Sequence, residues 1–466
     1  MTTRTTKLKP SIFREYDIRG RETPDELNEQ VLYLIGCGYG TFLKRRSIDR
    51  LVVGRDCRGT SELFQKSLIE GLLSTGLEVL DLGMVTTPML YWAQFHHKTL
   101  GGAMVTASHN PAGWNGVKLA VGYSLTTNSE QLKELYQLID REDFAKGHGK
   151  VTSAPIDSEY VADLVKRVNI KGRPRVLLNT GNGTAGKIGP RLLKEAGIEV
   201  LELHTRIDPT FPHYTANPSS VEMMEDTGQH VRDLKADLGV AIDADGDRLG
   251  ITDENGNTIW PDLFMIPLIR QLLQKKPGSK IIFDVKCSAA LEDEIREHGG
   301  VPVMWKTGHS FIKEKISEDK AALGVELSGH IFMVQDYYGF DDALFAGLKV
   351  IEALSERSQK LSEFLSTVPK WYSSPVYNAY CADEEKYKIA DELAAEFKKK
   401  GYKVFDLSGA RVTFDGGWGL VRASSNLPQL VLRFEARTKE KLPEIENIFR
   451  EMLKKYPSVG SKWETG

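Results

Sequence analysis

From about residue 50 the sequence alternates short apolar runs with amphipathic stretches, and that rhythm favours a mixed sheet covered by helices over any other architecture. LVVG (51–54) leads to SELFQKSLIEGLLSTG (61–76), EVLDLG (78–83), PMLYWAQFHH (88–97) and GGAMV (101–105), which reads strand, helix, strand, helix, strand. The rhythm returns twice. RVLLN (175–179), RLLKEAG (191–197) and LGVAID (238–243) form one set, and KIIFDV (280–285) with SAALEDEIREHG (288–299) another. Beyond WYSSPVYNAY the pattern changes to strand-like GLVRAS and QLVLRFEAR, then a helix with Leu442, Ile445, Phe449 and Met452 at 3–4-residue spacing. The expected fold class is α/β: three similar mixed-sheet α/β domains followed by a smaller α+β C-terminal domain. A chain of 466 residues suits about three or four domains at the usual ~100–200 residues each. The polar stretch REDFAKGHGKVTSAPID (141–157) reads as a linker, and a second boundary falls near DENGNTIWPD (253–262).

Sixty-one basic and 64 acidic side chains leave a net charge of −3. That balance gives no general attraction to nucleic acid or to an anionic membrane, and argues for a small-molecule partner. Cys37, Cys57, Cys287 and Cys381 lie far apart with no C-x-x-C pair, so reduced thiols are expected. The N-terminus has no apolar targeting core, and no run of about 18 apolar residues occurs. A soluble, cytoplasmic protein is expected.

Chemistry concentrates in four polar loops. TASHNPAGWNGVK (106–118) sits between GGAMV and the apolar LAV; Ser108 beside His109, with Lys118 past the turn, supplies a nucleophile and proton-handling groups, although a loop serine is more often only a turn residue. LGVAIDADGDRLGIT (238–252) runs an apolar strand into Asp243, Asp245 and Asp247, with Gly246 permitting a curl. Carboxylates at this density suit magnesium or calcium, the alternative being a solvated acidic turn. An EF-hand is excluded because Arg248 stands where that loop requires glycine and because strands flank the segment. Arg248 is left to face a phosphate or to close a surface salt bridge. GVELSGH (324–330) sets Glu326, Ser328 and His330 at alternate positions, equipment for gripping sugar hydroxyls and moving a proton or for ordinary loop hydrogen bonds. In WKTGHS (305–310), Thr307 and His309 can equally close a turn. VRASSNLPQLVLRFE (421–435) offers Arg422, Ser424, Ser425 and Asn426 as a phosphate-binding turn, with Arg433 inside the next strand and structural.

In this order, with IFREYDIRG (12–20), VGRDCRG (53–59), DVKCS (284–288) and YGFDDA (338–343), the loops resemble the α-D-phosphohexomutase superfamily, and within it the bacterial phosphomannomutase/phosphoglucomutase branch. The resemblance spans nearly the whole chain. It implies four domains around a central active-site cleft: a phosphoserine-bearing domain (1–152), a metal-binding domain (153–256), a sugar-recognition domain (257–368) and a phosphate-binding domain (369–466). It implies that Ser108 carries a phosphoryl group and, through it, joins Asp243, Asp245 and Asp247 in holding Mg2+. Arg19, Lys118 and His330 are implied as catalytic, and His109 and Arg248 as neighbours of the transferred phosphate. The implied substrate-binding residues are Tyr16, Lys286, Thr307, Gly308, His309, Glu326, Ser328, Arg422, Ser424, Ser425 and Asn426. Hexose phosphates are the implied substrates and glucose 1,6-bisphosphate the activator, with no nucleic-acid or membrane partner and a monomer or weak dimer as the working species. A phosphoglucosamine mutase, a metal-assisted phosphatase and a catalytically silent sugar-phosphate-binding protein are the alternatives.

Two features depart from the superfamily's pattern, the end of the phosphate loop and the residue before Glu326. Ser425 and Asn426 end a phosphate loop that usually reads Arg-x-Ser-Asn-Thr. Val325 replaces the usual glycine before Glu326, which restricts the backbone there. Leu327 lies where the glucose/mannose branch tends to have Met and the glucosamine branch Gln.

Overall fold

The computed structural model describes residues 8–424 and 427–465, and its contacts divide the chain into two compact units. The first comprises residues 1–218, 222–258 and 329–358; the second comprises 219–221, 259–328 and 359–466.

The first unit holds two sheets. One is built from β1 (Ile18–Arg21), β2 (Arg50–Arg55), β3 (Glu78–Met84), β4 (Gly101–Val105), β5 (Trp114–Val121) and β6 (Lys150–Ser153), in the order β1-β5-β4-β2-β3-β6. The interior strands β2 and β4 are almost wholly buried, as expected where helices cover both faces. β4, β2, β3 and β6 run parallel, β5 runs antiparallel beside β4, and β1 pairs antiparallel with β5, so it points the same way as β4. The polar segment 141–157, expected to be a linker, therefore contains an edge strand. All four β6 side chains are exposed, so β6 is held by main-chain pairing to β3 and carries no apolar alternation.

The helix Glu29–Lys44 packs on this sheet together with Ser61–Leu73 and Ser129–Asp140. Asn28 caps the first of them by accepting the Val31 N–H, and Asn128 with Gln131 forms a capping box on the third.

The second sheet takes β7 (Arg175–Asn179), β8 (Glu199–Leu203), β9 (Leu238–Ile242), β10 (Leu249–Thr252) and β11 (Thr258–Ile259) in the order β11-β10-β9-β7-β8. β8, β7 and β9 are parallel, while β9 and β10 form an antiparallel hairpin whose turn is the acidic loop.

In the second unit β12 (Lys280–Asp284) lies between β13 (Val301–Trp305) and β14 (Leu323–Val325), all parallel. The C-terminal part forms an antiparallel sheet around Gly417–Ala423 and Gln429–Ala436, backed by the helices Asp383–Lys399 and Lys441–Leu453. Ile445, Phe449 and Met452 are buried on the second helix, with Leu442 packed partly against the same core. All four cysteines are buried and unpaired. Among the described residues no helix is long and apolar enough to cross a membrane.

Candidate active site

Three neighbouring strands of the first sheet deliver three of the expected side chains. Arg19 lies on β1 opposite Gly116, Lys118 lies on β5 opposite Met104, and Ser108 follows β4. The close approach of β1 depends on Gly116, where a Cβ would meet the Ile18 carbonyl at 2.1 Å. Ser108 is buried and adopts a left-handed backbone with φ +50°, a conformation that a non-glycine residue keeps only when its surroundings enforce it. Its N–H donates to Thr106 Oγ1 at 2.8 Å, and its Oγ lies 3.1 Å from His109 Nδ1 and 3.3 Å from Asp243 Oδ2.

The β9–β10 turn supplies the acidic partners. Gly246, with φ +83°, lets the chain curl, and Asp243 Oδ1 accepts the N–H groups of Gly246, Asp247 and Arg248 at 3.0–3.1 Å. Asp245 Oδ2 accepts from Thr87 Oγ1 and from Lys118 Nζ, each at 2.7 Å, and Lys118 also pairs with Asp247 Oδ2. One carboxylate oxygen from each aspartate falls within 4.8 Å of the others, and all three residues are buried. Asp245 Oδ1 and Asp247 Oδ1 are buried without a hydrogen-bond partner, a costly state for a carboxylate oxygen unless a cation joins it. The all-oxygen donor set fits a hard divalent cation.

Charge in this cluster is strongly perturbed. Burial, then the charges of Asp247 and Asp245, push the Asp243 carboxyl well above the usual carboxylate range. Burial opposes ionisation of Asp245 too, but Lys118 outweighs it and holds that carboxyl below its ordinary value. Burial likewise opposes the Lys118 ammonium, and Asp245 and Asp247 overcome it, raising its pKa well above normal. Burial and the nearby Arg248 and Arg19 cations push His109 well down, so it is neutral near pH 7.

Around this core, Arg19 pairs with Asp17 at 2.7 Å and donates to Asn110 Oδ1 at 3.0 Å. Arg248 Nε donates to His330 Nε2 at 3.0 Å, so in this structure Arg248 engages an imidazole where a surface salt bridge was the alternative. With Nε2 accepting, the proton of His330 sits on Nδ1, which lies 2.8 Å from Asp341 Oδ2. Tyr16 is half-buried just ahead of β1.

The second unit carries the remaining expected residues. DVKCS, WKTGHS and ELSGH follow β12, β13 and β14 respectively, so all three motifs lie at the C-terminal ends of parallel strands, where open α/β sheets bind ligands. Buried Asp284 ties them together: it accepts from Thr307 Oγ1 at 2.9 Å and Cys287 Sγ at 3.2 Å, and Lys286 Nζ stands 3.4 Å away. Burial works against its charge, but Lys286 leads the groups that keep its carboxyl below the usual value. Gly308, with φ +131°, precedes the helix His309–Asp319, whose first residue is buried. Ser328 Oγ donates to Glu326 Oε1 at 2.8 Å, while Glu326 Oε2 is buried without a hydrogen-bond partner. Arg422 and Ser424 are buried at the end of the strand Gly417–Ala423, and the Ser424 N–H is fixed on the Gln429 carbonyl at 3.0 Å. Ser425 and Asn426 lie outside the described residues. Arg433 bonds Asp262 Oδ2 at 3.2 Å and the Lys286 carbonyl, a structural role.

The structure thus brings Ser108, His109, Arg19, Lys118, Arg248, His330 and the three aspartates together within the first unit, which also holds Tyr16, and groups the other described residues in the second. The ELSGH loop divides between the two: Glu326 and Ser328 fall in the second unit and His330 in the first. Sequence reasoning did not single out Thr87, Arg58, Asp284 or Asp341. The last three stand inside motifs already noted, VGRDCRG, DVKCS and YGFDDA, whereas Thr87 carries no comparable signal.

The chain matches, along its length, the descriptions phosphoglucomutase/phosphomannomutase alpha/beta/alpha domain I (residues 10–146), domain II (158–256), domain III (260–372) and C-terminal domain (377–452). It is 38% identical over 453 residues, 97% of each chain, to a phosphomannomutase/phosphoglucomutase of Pseudomonas aeruginosa. It is 37% identical over 452 residues, 96% of this chain and 98% of the other, to a phosphoglucomutase of Neisseria meningitidis. A crystal structure of a phosphoglucomutase/phosphomannomutase family protein from Burkholderia thailandensis superposes with a TM-score of 0.91 at 34% identity, covering 97% of this chain and 99% of that one.

Proposed function

The chain belongs to the phosphoglucomutase/phosphomannomutase family, and from that premise we propose that it interconverts the 1- and 6-phosphates of mannose, glucose or both through a phosphorylated Ser108. The observation that carries this reading is the burial of Ser108 Oγ 3.3 Å from Asp243 Oδ2, beside a carboxylate cluster already countered by Lys118. A solvated turn serine needs no such surroundings.

In the first step the oxygen of the free hydroxyl of a hexose phosphate attacks the phosphorus of phospho-Ser108. The P–O bond to Ser108 breaks, the hydroxyl proton passes to a protein base, and a hexose 1,6-bisphosphate results. The bisphosphate turns over and returns its other phosphate to Ser108, releasing the isomer. Such transfer depends on in-line positioning and on countering charge on the equatorial oxygens more than on covalent chemistry. Arg19, Arg248 and the Lys118 ammonium, which the aspartates keep charged, supply positive charge, with His109 beside the phosphate, and His330 handles protons. Mg2+, held by Asp243, Asp245, Asp247 and a phosphate oxygen on Ser108, would add charge neutralisation at the phosphoryl group. Glucose 1,6-bisphosphate would act as activator by restoring phosphate to Ser108.

In the second unit Glu326 and Ser328 grip sugar hydroxyls. Lys286 and the Thr307–His309 turn orient the substrate, and Tyr16 keeps the substrate-binding role that the resemblance implies. Arg422 and Ser424, with Ser425 and Asn426 outside the described residues, hold the phosphate that is not being transferred. The buried, unpartnered Glu326 Oε2 supports a ligand hydroxyl there, because a buried acceptor gains most from a donor that a substrate brings.

The test is isomerisation of glucose 1-phosphate, mannose 1-phosphate and glucosamine 1-phosphate with magnesium and a trace of glucose 1,6-bisphosphate, for the native enzyme and Ser108→Ala. Turnover of glucose or mannose phosphate, lost in the variant, is the expected result. Turnover of the amino sugar alone would move the assignment to phosphoglucosamine mutase. Binding without turnover would leave a silent sugar-phosphate-binding protein.

A further inference from the structure

We propose that Arg58 is the residue that positions the nucleophile. It does not touch Ser108 Oγ; it holds the main chain that carries it. Every N–H of its guanidinium is engaged. Nε donates to Asp56 Oδ2 at 3.1 Å, one terminal nitrogen donates to the carbonyls of Pro111 and Trp114 at 2.9 and 3.1 Å, and the other donates to those of Ser108 and Asn110 at 2.6 and 2.5 Å. Four carbonyls of one loop thus converge on a single buried side chain.

The other side-chain bonds reach the loop at separate points: the Ser108 N–H donates to Thr106 Oγ1 at 2.8 Å, Arg19 donates to the Ala107 carbonyl at 3.4 Å and to Asn110 Oδ1 at 3.0 Å, and Asn115 Nδ2 donates to Thr60 and Ser61. Main chain bonds to main chain from Thr106 N–H to the Gly116 carbonyl, from Asn110 N–H to the Ala107 carbonyl, and from Glu22 N–H to the Gly113 carbonyl. Yet Ser108 must keep a positive φ of 50°, which a serine leaves unless the surrounding structure over-determines it. The carbonyl of that same residue is one of the four that Arg58 holds.

The clamp is itself anchored. Asp56, wholly buried, accepts the Arg58 main-chain N–H at 3.0 Å and the Ser61 hydroxyl at the start of the helix Ser61–Leu73. The Phe211 ring lies 5.2 Å from the guanidinium carbon. Only a planar five-donor fork fits this arrangement; an ammonium offers three donors from a single point and cannot span four carbonyls and a carboxylate.

This inference rests on Ser108 being the nucleophile, and the test separates the two. Arg58→Ala and Arg58→Lys would be made in the full chain and compared with the native enzyme in kcat, KM for glucose 1-phosphate, melting temperature and the rate at which Ser108 is loaded from glucose 1,6-bisphosphate, read by peptide mass. The expected result is a kcat lower by ~10²–10³-fold in Arg58→Ala with KM within ~3-fold, because misplacing a reacting atom removes an advantage realised in the transition state. Loading of Ser108 slows in parallel. Guanidinium at sub-denaturing concentration should restore ~10-fold of the Arg58→Ala rate where sodium chloride of equal ionic strength does not, a response that a merely destabilised protein would not give. Arg58→Lys keeps the pairing with Asp56 and reports even if the alanine variant fails to fold. It should stay at least ~10-fold below native while melting close to it. Values of kcat and Ser108 loading within ~3-fold of native in folded Arg58→Lys would overturn the proposal, as would a loss in Arg58→Ala that guanidinium leaves unchanged. A native enzyme whose Ser108 takes no phosphate would instead sink the reading of Ser108 as nucleophile, and this inference with it.

Discussion

Lys118 Nζ lies 2.7 Å from Asp245 Oδ2, both groups buried, so the lysine that the resemblance implies as catalytic is held by the acidic loop. The pair explains how three aspartates survive together out of water. Lys118 offsets part of their charge and leaves Asp245 Oδ1 and Asp247 Oδ1 for a further cation.

Lys118→Met should therefore do more than remove positive charge from the transferred phosphate. It leaves buried carboxylates uncompensated, and breaking a buried pair from one side typically costs ~3–5 kcal/mol. The variant should lose turnover and also melt well below native without magnesium, with added magnesium recovering part of the difference. Thermal unfolding with and without magnesium checks this, and a Lys118→Met protein as stable as native in chelator would contradict it.

Chelation should abolish turnover, and magnesium should restore it. Binding to the folded state alone stabilises by about 2.7 kcal/mol at a hundred times Kd, so the native protein should melt higher with magnesium, and Asp245→Asn should show a much smaller rise. An equal rise in both would place the ion elsewhere.

The sequence made much of this legible, for identifiable reasons. RVLLN (175–179) coincides with β7 because a short apolar run bounded by turn residues has few other fates. The acidic loop was legible because carboxylates so close need a cation. The helix Glu29–Lys44 was not, because Gly36, Gly38 and Gly40 interrupt it and glycine reads as a breaker. Their role is tertiary: a Cβ on Gly36 would meet the Leu68 carbonyl oxygen at 2.3 Å, and one on Gly38 would meet Ile139 at 2.4 Å. β6 was read as linker because none of its side chains is buried. The partners of the site residues, Arg58 on the Ser108 carbonyl, Asp341 on His330 and Thr87 on Asp245, lie between 11 and 158 positions away. Such pairings are set by topology and leave no local pattern.

Gly36→Ala tests that account of the first helix. Propensity alone would stabilise the helix by up to ~1 kcal/mol, but the Leu68 carbonyl is backbone and cannot swing aside, so overpacking of ~1–3 kcal/mol or more should win. The expected outcome is a lower denaturation midpoint; a higher one would show that the two helices are free to separate.

Asp342 offers a pH test away from the site. It caps the helix Ala343–Arg357 and accepts the hydroxyls of Tyr160 and Tyr337 at 2.7 and 2.6 Å. Burial raises its carboxyl from 3.8 to about 6. A raised acid adds stability that is fully present below pH 3.8 and is lost as pH rises through about 6. Asp342→Asn lacks this titration, so its stability relative to native should improve between pH 4 and pH 7, by an amount of order 1–3 kcal/mol. Parallel pH–stability curves for the two proteins would contradict the assignment.

The central claim is that Ser108 carries the phosphate between substrates. Enzyme incubated with glucose 1,6-bisphosphate labelled in its phosphates, quenched within one turnover and digested, should show label on the peptide containing Ser108, and that label should chase into hexose phosphate when unlabelled glucose 1-phosphate is added. Turnover at the full rate with no label on that peptide, or with label that does not chase, would contradict the account.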